Sequence, residues 1–210
     1  MKRDTDLAGW LQLTLTPGLG AAAVRSLLRQ YGLPQAVLSR KSAELATFAP
    51  PGALEALYSV AVKDAVSRAL EWLGEPGRHV VTLADEHYPR SLLEIADPPP
   101  LLYARGRLEM LQRGSLAIVG SRNATAQGEA NAESFARALS NAGLVIVSGL
   151  ALGIDAAAHR GGLSGAASTI AVLGTGMDVV YPRRNAELCA QIAERGLLLS
   201  EFALGTTPSA

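Results

Sequence analysis

The chain has 210 residues, enough for one large domain or one domain with a smaller companion. Hydrophobic residues make up 49% and charged residues 18%, which excludes disordered and collagen-like classes. A formal net charge of +0 excludes a globally basic nucleic-acid binder but not a local basic site, and 16 of the 19 basic residues are Arg, a bias that reads as high-GC codon usage or as a planar fork suited to phosphate.

The single cysteine, Cys189, excludes a disulfide framework and a cysteine-based zinc site. Its apolar neighbours Ala186, Leu188, Ala190 and Ile192 point to a buried structural thiol. The segment Met1 to Asp6 leads into no sustained apolar run, so no secretory leader is read there. No stretch of about 18 apolar residues is present to span a bilayer. The expectation is a cytoplasmic protein without a membrane partner.

Residues 1–76 read as helical. Leu7, Trp10, Leu11 and Leu13 recur near helical spacing. Thr16-Pro17-Gly18-Leu19-Gly20 then forms a hairpin, and Ala23, Val24, Leu27, Leu28 and Tyr31 make the stripe of a second helix that stops at Gly32. A weaker echo follows around Pro50-Pro51-Gly52, with Leu45, Phe48, Leu54, Leu57 and Tyr58. The last helix carries Val62, Ala65, Val66, Ala69, Leu70 and Leu73. Glu75-Pro76-Gly77 marks a boundary. The hairpin has two readings: a helix-hairpin-helix element whose amides touch a DNA phosphate with help from Arg25 and Arg29, or a tight turn between packed helices.

From 77 to 210 the period changes. Strand-like runs occur at 79–83 and 101–104, the second after the stiff Pro98-Pro99-Pro100 connector. Four nearly continuous apolar strands follow at 116–119, 144–147, 169–173 and 197–199, with an extended piece at 178–181. Helices are read at 125–142, 154–164 and 184–195. This alternation predicts an α/β fold with a parallel sheet, helices on both faces and right-handed crossovers.

In such a sheet, ligands bind beyond the carboxyl ends of the strands. The first end is Gly120-Ser121-Arg122-Asn123, which runs into a helix. Glycine admits close backbone approach, the helix N-terminus favours an anion, and Arg122 can fork onto phosphate. The other reading is a turn with Thr125 as N-cap. The run is not a dinucleotide fingerprint, and no acid ends the next strand, so a nicotinamide cofactor is not expected. The second end, Ser148-Gly149-Leu150-Ala151-Leu152-Gly153, opens a helix with Asp155 and His159 on one face. These read either as a polar pair in the Arg122 crevice or as an acid favoured by the helix dipole with a packed histidine. No metal is expected, because His79 and His87 are the only other histidines. The third end is Gly174-Thr175-Gly176-Met177-Asp178, followed by Tyr181-Pro182-Arg183-Arg184-Asn185. Two arginines at a helix start oppose the dipole, which hints at a bound anion. At the fourth end, Glu201 reads as a partner for Arg122 or Arg183, or as a functional acid.

Ala117-Ile118-Val119-Gly120-Ser121-Arg122, the run 147–155 with His159, the runs 171–178 and 181–185, and Leu199-Ser200-Glu201-Phe202 together resemble the DNA-processing protein A family (DprA, also called Smf). The resemblance is strong over 79–208 and looser over the helical start, which is similar to the family's sterile-alpha-motif-like domain. It implies a Rossmann-like fold and a non-catalytic homodimer that protects incoming single-stranded DNA during natural transformation and helps load RecA recombinase, without a cofactor.

The implied nucleic-acid-binding residues are Gly120, Ser121, Arg122, Asn123, Ser148, Gly149, Gly153, His159, Gly174, Thr175, Gly176, Arg183 and Arg184. Two departures stand out. Arg replaces a frequent family Lys near 183, and a further Pro-Arg-Arg-Asn-Arg type motif, more sheet and a winged-helix domain are missing, so domain 77–210 reads as C-terminally incomplete. The competing expectation is an enzyme resembling nucleotide phosphoribohydrolases, although their Pro-Gly-Gly-x-Gly-Thr signature is absent.

Overall fold

The computed structural model describes residues 2–208, with side chains described from residue 7. The reading of Met1 to Asp6 as free of a leader therefore lies outside the described side chains. The chain forms two compact units. The first comprises residues 1–76, 82–85 and 90–101; the second comprises 77–81, 86–89 and 102–210.

The first unit holds α1 (Lys2–Leu15), α2 (Ala21–Tyr31), α3 (Pro34–Leu38), α4 (Ser42–Leu45), α5 (Pro51–Ala56) and α6 (Val60–Leu73). The expected stripe of α2 is buried: Val24 and Leu27 join Leu13, Leu19, Val37, Leu45, Ala53, Leu54 and Leu57 in one core. The α1–α2 hairpin turns through Gly18 at φ +80°, a backbone conformation glycine adopts without steric penalty. Arg25 is buried, donating to Pro98 O at 2.9 Å and pairing with Asp97. Its guanidinium is spent inside this unit, which corrects the reading that placed it beside the hairpin to meet DNA.

The sheet contains β1 (Arg78–Thr82), β2 (Leu101–Gly106), β3 (Ser115–Ala117), β4 (Val145–Ser148), β5 (Thr169–Val172) and β6 (Leu197–Ser200), in the order β1-β2-β6-β5-β4-β3. The connecting helices are α7 (Ala126–Asn141), α8 (Ile154–Ser164) and α9 (Ala186–Arg195). Strands β3 to β6 are parallel, Leu116 opposite Ile146 and Ile170 opposite Leu197. The fold is thus α/β and Rossmann-like, with two differences from the expectation.

First, β2 pairs antiparallel with β6, Tyr103 opposite Ser200, so the sheet is mixed. Second, the crossover helices follow on one face, not two. Consecutive strands β3, β4, β5 and β6 step in a single direction, and right-handed crossovers then place every helix on the same side. Side chains alternate across a strand. Ile118 and Ile146 therefore meet Ala136 of α7 and Ala158 of α8, while Val119 (71% exposed) and Val172 (45%) face the other way.

Helices α7 and α8 pack closely because small residues line their contact. A Cβ on Gly161 would lie 2.2 Å from Glu133 O. Arg160 of α8 ties back to Glu129 and Glu133 of α7. The extended piece expected at 178–181 joins no strand: Met177 and Asp178 form a turn, with Val179 N–H bonded to Gly176 O and Asp178 Oδ1 accepting from Gly205 N–H, and Val179 and Val180 follow it without regular structure. No helix among the described residues is long and apolar enough to cross a membrane.

Candidate functional site

Three loops leave the carboxyl ends of β3, β4 and β5, and the structure binds them into one rim. The first, 118–125, ends at Thr125, whose Oγ1 accepts from Gly128 N–H at 3.1 Å and caps α7. Within it Ser121 Oγ accepts from Asn123 N–H at 3.1 Å. Gly120, Ser121, Arg122 and Asn123 are all exposed. The backbone N–H groups of Gly120, Ser121 and Arg122 have no bonded acceptor among the described residues.

This loop rests on the start of α8. Ile154 N–H donates to Ser121 O at 3.2 Å. Gly153 has φ +74°, and a Cβ there would stand 2.3 Å from Ser121 O and 3.0 Å from Arg122 O. Both the conformation and the space require glycine. Gly120 plays the reciprocal part, since its Cβ would fall 2.8 Å from the Ile154 side chain.

The second loop, 148–153, is held from inside. Asp155 Oδ2 accepts from Gly149 N–H (3.1 Å) and Ala151 N–H (3.4 Å). His159 Nε2 accepts from Leu150 N–H at 3.3 Å, and its Nδ1 lies 2.8 Å from Thr169 Oγ1. The Thr169 hydroxyl itself donates to Ile146 O, so it accepts from His159 and the proton sits on Nδ1. Leu150 occupies φ +59°, which is strained for a residue with a branched side chain. The bonds around it hold it there. Burial pushes the His159 pKa down to about 4, partly opposed by the Ser148 carbonyl.

Asp155 and His159 thus support the loop, the second of their two sequence readings. His159 is 0% exposed, so its place in the expected contact set is corrected to that of an internal support. Ser148 is likewise buried and donates to Ile118 O. Gly149 is exposed, but its N–H is committed to Asp155.

At the third loop Gly174 is exposed with open space around it. Thr175 is buried and donates to Val179 O, and Gly176 is buried with its N–H on Thr206 O. Arg183 and Arg184 lie in a 3-10 turn, Arg183–Asn185, ahead of α9, and both are exposed. Asn185, which sequence reasoning missed, is buried and donates from Nδ2 to Leu150 O (2.9 Å) and Ala151 O (3.1 Å). An asparagine directly after two arginines at a helix start was the available signal.

The rim is therefore continuous through named contacts: Arg183–Asn185 to Leu150 and Ala151, then Gly153 and Ile154 to Ser121 and Arg122. The guanidinium groups of Arg122, Arg183 and Arg184 take no ion pair or hydrogen bond among the described residues. Glu201 is exposed and pairs with none of them. Three unpaired guanidinium groups and the bare amides of Gly120, Ser121 and Arg122 equip one edge of the sheet to hold negatively charged oxygens. Among the described residues no three His, Cys, Asp or Glu side chains cluster as metal ligands would.

Comparison with known proteins identifies the family. The family model for DNA recombination-mediator protein A matches residues 79–210. Protein Smf of Synechocystis sp. is 34% identical over 98% of this chain and 53% of its own length. The DNA processing protein DprA of Streptococcus pneumoniae is 46% identical over 60% of this chain and 45% of its own length. The chain thus spans about half the length of the curated relatives it matches. The X-ray structure of DprA from S. pneumoniae superposes with a TM-score of 0.79 at 32% identity, covering 95% of this chain and 68% of that one. DNA processing protein A from Helicobacter pylori, whose structure was reported for its single-stranded DNA binding mode, gives a TM-score of 0.55 at 31% identity, covering 63% of this chain and 59% of that one. The chain belongs to the DNA recombination-mediator protein A family, the DprA and Smf proteins.

Proposed function

We propose that this chain is a non-catalytic binding protein for single-stranded DNA, whose phosphates run along the rim of the sheet. The direct contacts are Gly120, Ser121, Arg122, Asn123, Gly174, Arg183 and Arg184, which are exposed. Ser148, Gly149, Gly153, His159, Thr175 and Gly176 shape and hold the rim. The observation that carries the reading is the set of three unpaired arginines on loops locked to one another. The relatives' roles in DNA processing, and the single-stranded DNA binding of the H. pylori protein, support it.

The homodimer, the loading of RecA recombinase during transformation and the cytoplasmic setting belong to the same proposal and rest on the family; the domain division at 76/77 belongs to it too and rests on the Glu75-Pro76-Gly77 boundary, with 82–85 and 90–101 clustering with the helical unit. An enzymatic reading has less to stand on. Asp155 and His159, an acid and a base beside the rim, are buried and engaged with backbone.

The test mixes the chain with single-stranded and double-stranded oligonucleotides, and separately with nucleoside monophosphates. The proposal expects tighter binding of the single strand and no release of free base. Base release, or equal affinity for both oligonucleotides, overturns it.

A further inference from the structure

We infer that Asn185 is a positioning residue for the rim: by bonding the turn at 150–151 it fixes where Arg183 and Arg184 stand. This inference rests on the single-stranded DNA reading above. Three side chains hold the backbone of Gly149, Leu150 and Ala151. Asp155 takes the N–H groups of Gly149 and Ala151, and His159 takes that of Leu150. The carbonyls of Leu150 and Ala151 both go to the Nδ2 of Asn185, at 2.9 and 3.1 Å. The amide therefore spends both its hydrogens on one turn, 34 and 35 residues away in sequence.

The turn it grips is itself immobilised, with Leu150 at φ +59° and fully buried. On its other side Asn185 ends the short turn that carries the two arginines, and its own N–H bonds Pro182 O at 2.9 Å. The arginine side chains contribute nothing to holding this turn, since neither guanidinium has a bonded partner among the described residues. They also sit at the start of α9, where the helix dipole opposes positive charge, so their placement needs an external anchor. Anchoring the backbone from which two arginines project removes part of the ordering cost that association otherwise carries.

The experiment is a double-mutant cycle read by titration of a labelled oligothymidylate across a salt series. The proteins are the native chain, Asn185→Ala, Arg183→Ala with Arg184→Ala, and the triple variant. Asn185→Ala is expected to weaken binding about tenfold, the scale of ordering the released turn again on binding. The double arginine variant is expected to flatten the log–log salt slope by about 1.4, at about 0.7 per single-strand phosphate. The triple variant should bind like the double one, because Asn185 acts through the arginines it no longer positions.

Native-like affinity of Asn185→Ala overturns the inference. So does an equal loss in both backgrounds, which is what a general packing defect would give. A double arginine variant that binds like the native chain fails differently, since it removes the DNA reading of this loop itself. Should the alanine variant not fold, Asn185→Asp keeps the volume, lacks both donors and runs through the same cycle.

Discussion

His159 offers a sharp physical test of how the rim is held. Its imidazole is fully buried between α8 and β5, bonded at Nδ1 to Thr169 and at Nε2 to Leu150 N–H. Burial holds its pKa at about 4, against 6.5 for the free side chain. The folded pKa is depressed, so the stabilising effect is complete above about pH 6.5 and is lost as pH falls toward 4, because the unfolded chain takes up a proton that the folded one refuses.

Between pH 7 and pH 5 this linkage removes about 2 kcal/mol of stability. The assay is urea unfolding of the native chain and His159→Gln at both values. The variant loses the buried bonds and is expected to be weaker at pH 7, by about 2 kcal/mol. Its further loss on acidification should be smaller than the native chain's by about 2 kcal/mol. The carboxylates common to both proteins cancel in that difference. Parallel pH profiles would refute the placement of a neutral, enclosed His159 beneath the 148–153 loop.

Glycine substitutions give a paired contrast. Gly153→Ala should cost roughly 2–3 kcal/mol from its backbone conformation alone and displace the Arg122 loop, weakening oligonucleotide binding, because the obstructing atoms are backbone. Gly174→Ala meets open space and should change thermal stability by less than about 0.5 kcal/mol. Arg25→Met should destabilise the chain in urea by about 2 kcal/mol through loss of the Pro98 and Asp97 bonds, with oligonucleotide affinity unchanged.

Much of the fold was legible because the strands are short apolar runs and the helices carry clear stripes. Strands expected at 144–147, 169–173 and 197–199 lie within a residue or so of β4, β5 and β6, and the helix expected at 154–164 is α8. The antiparallel pairing of β2 with β6 was not legible. Leu101 to Ala104 is as apolar as a parallel core strand, and direction is set by long-range order, not by pattern. The piece at 178–181 reads as extended because Val179 and Val180 are apolar and follow a strand, while the Asp178 bond to Gly205 at the preceding turn spans 27 residues.

The glycines and arginines of the rim could be picked out as residue types. Which of their groups face outward depended on partners that sequence spacing does not reveal. Asp155 and His159 admit both a ligand-facing and a structural reading by spacing, and their hydrogen bonds fix the structural one. Asn185 shows the same difficulty, since its acceptors lie 34 and 35 residues upstream.

The claim that a single rim of arginines holds the strand's phosphates is tested most directly by the salt dependence of oligothymidylate binding to the native chain and to a variant with Arg122, Arg183 and Arg184 all changed to Ala. The account predicts a slope shallower by about 2 for the variant, three phosphate contacts at about 0.7 each. Identical slopes would contradict it.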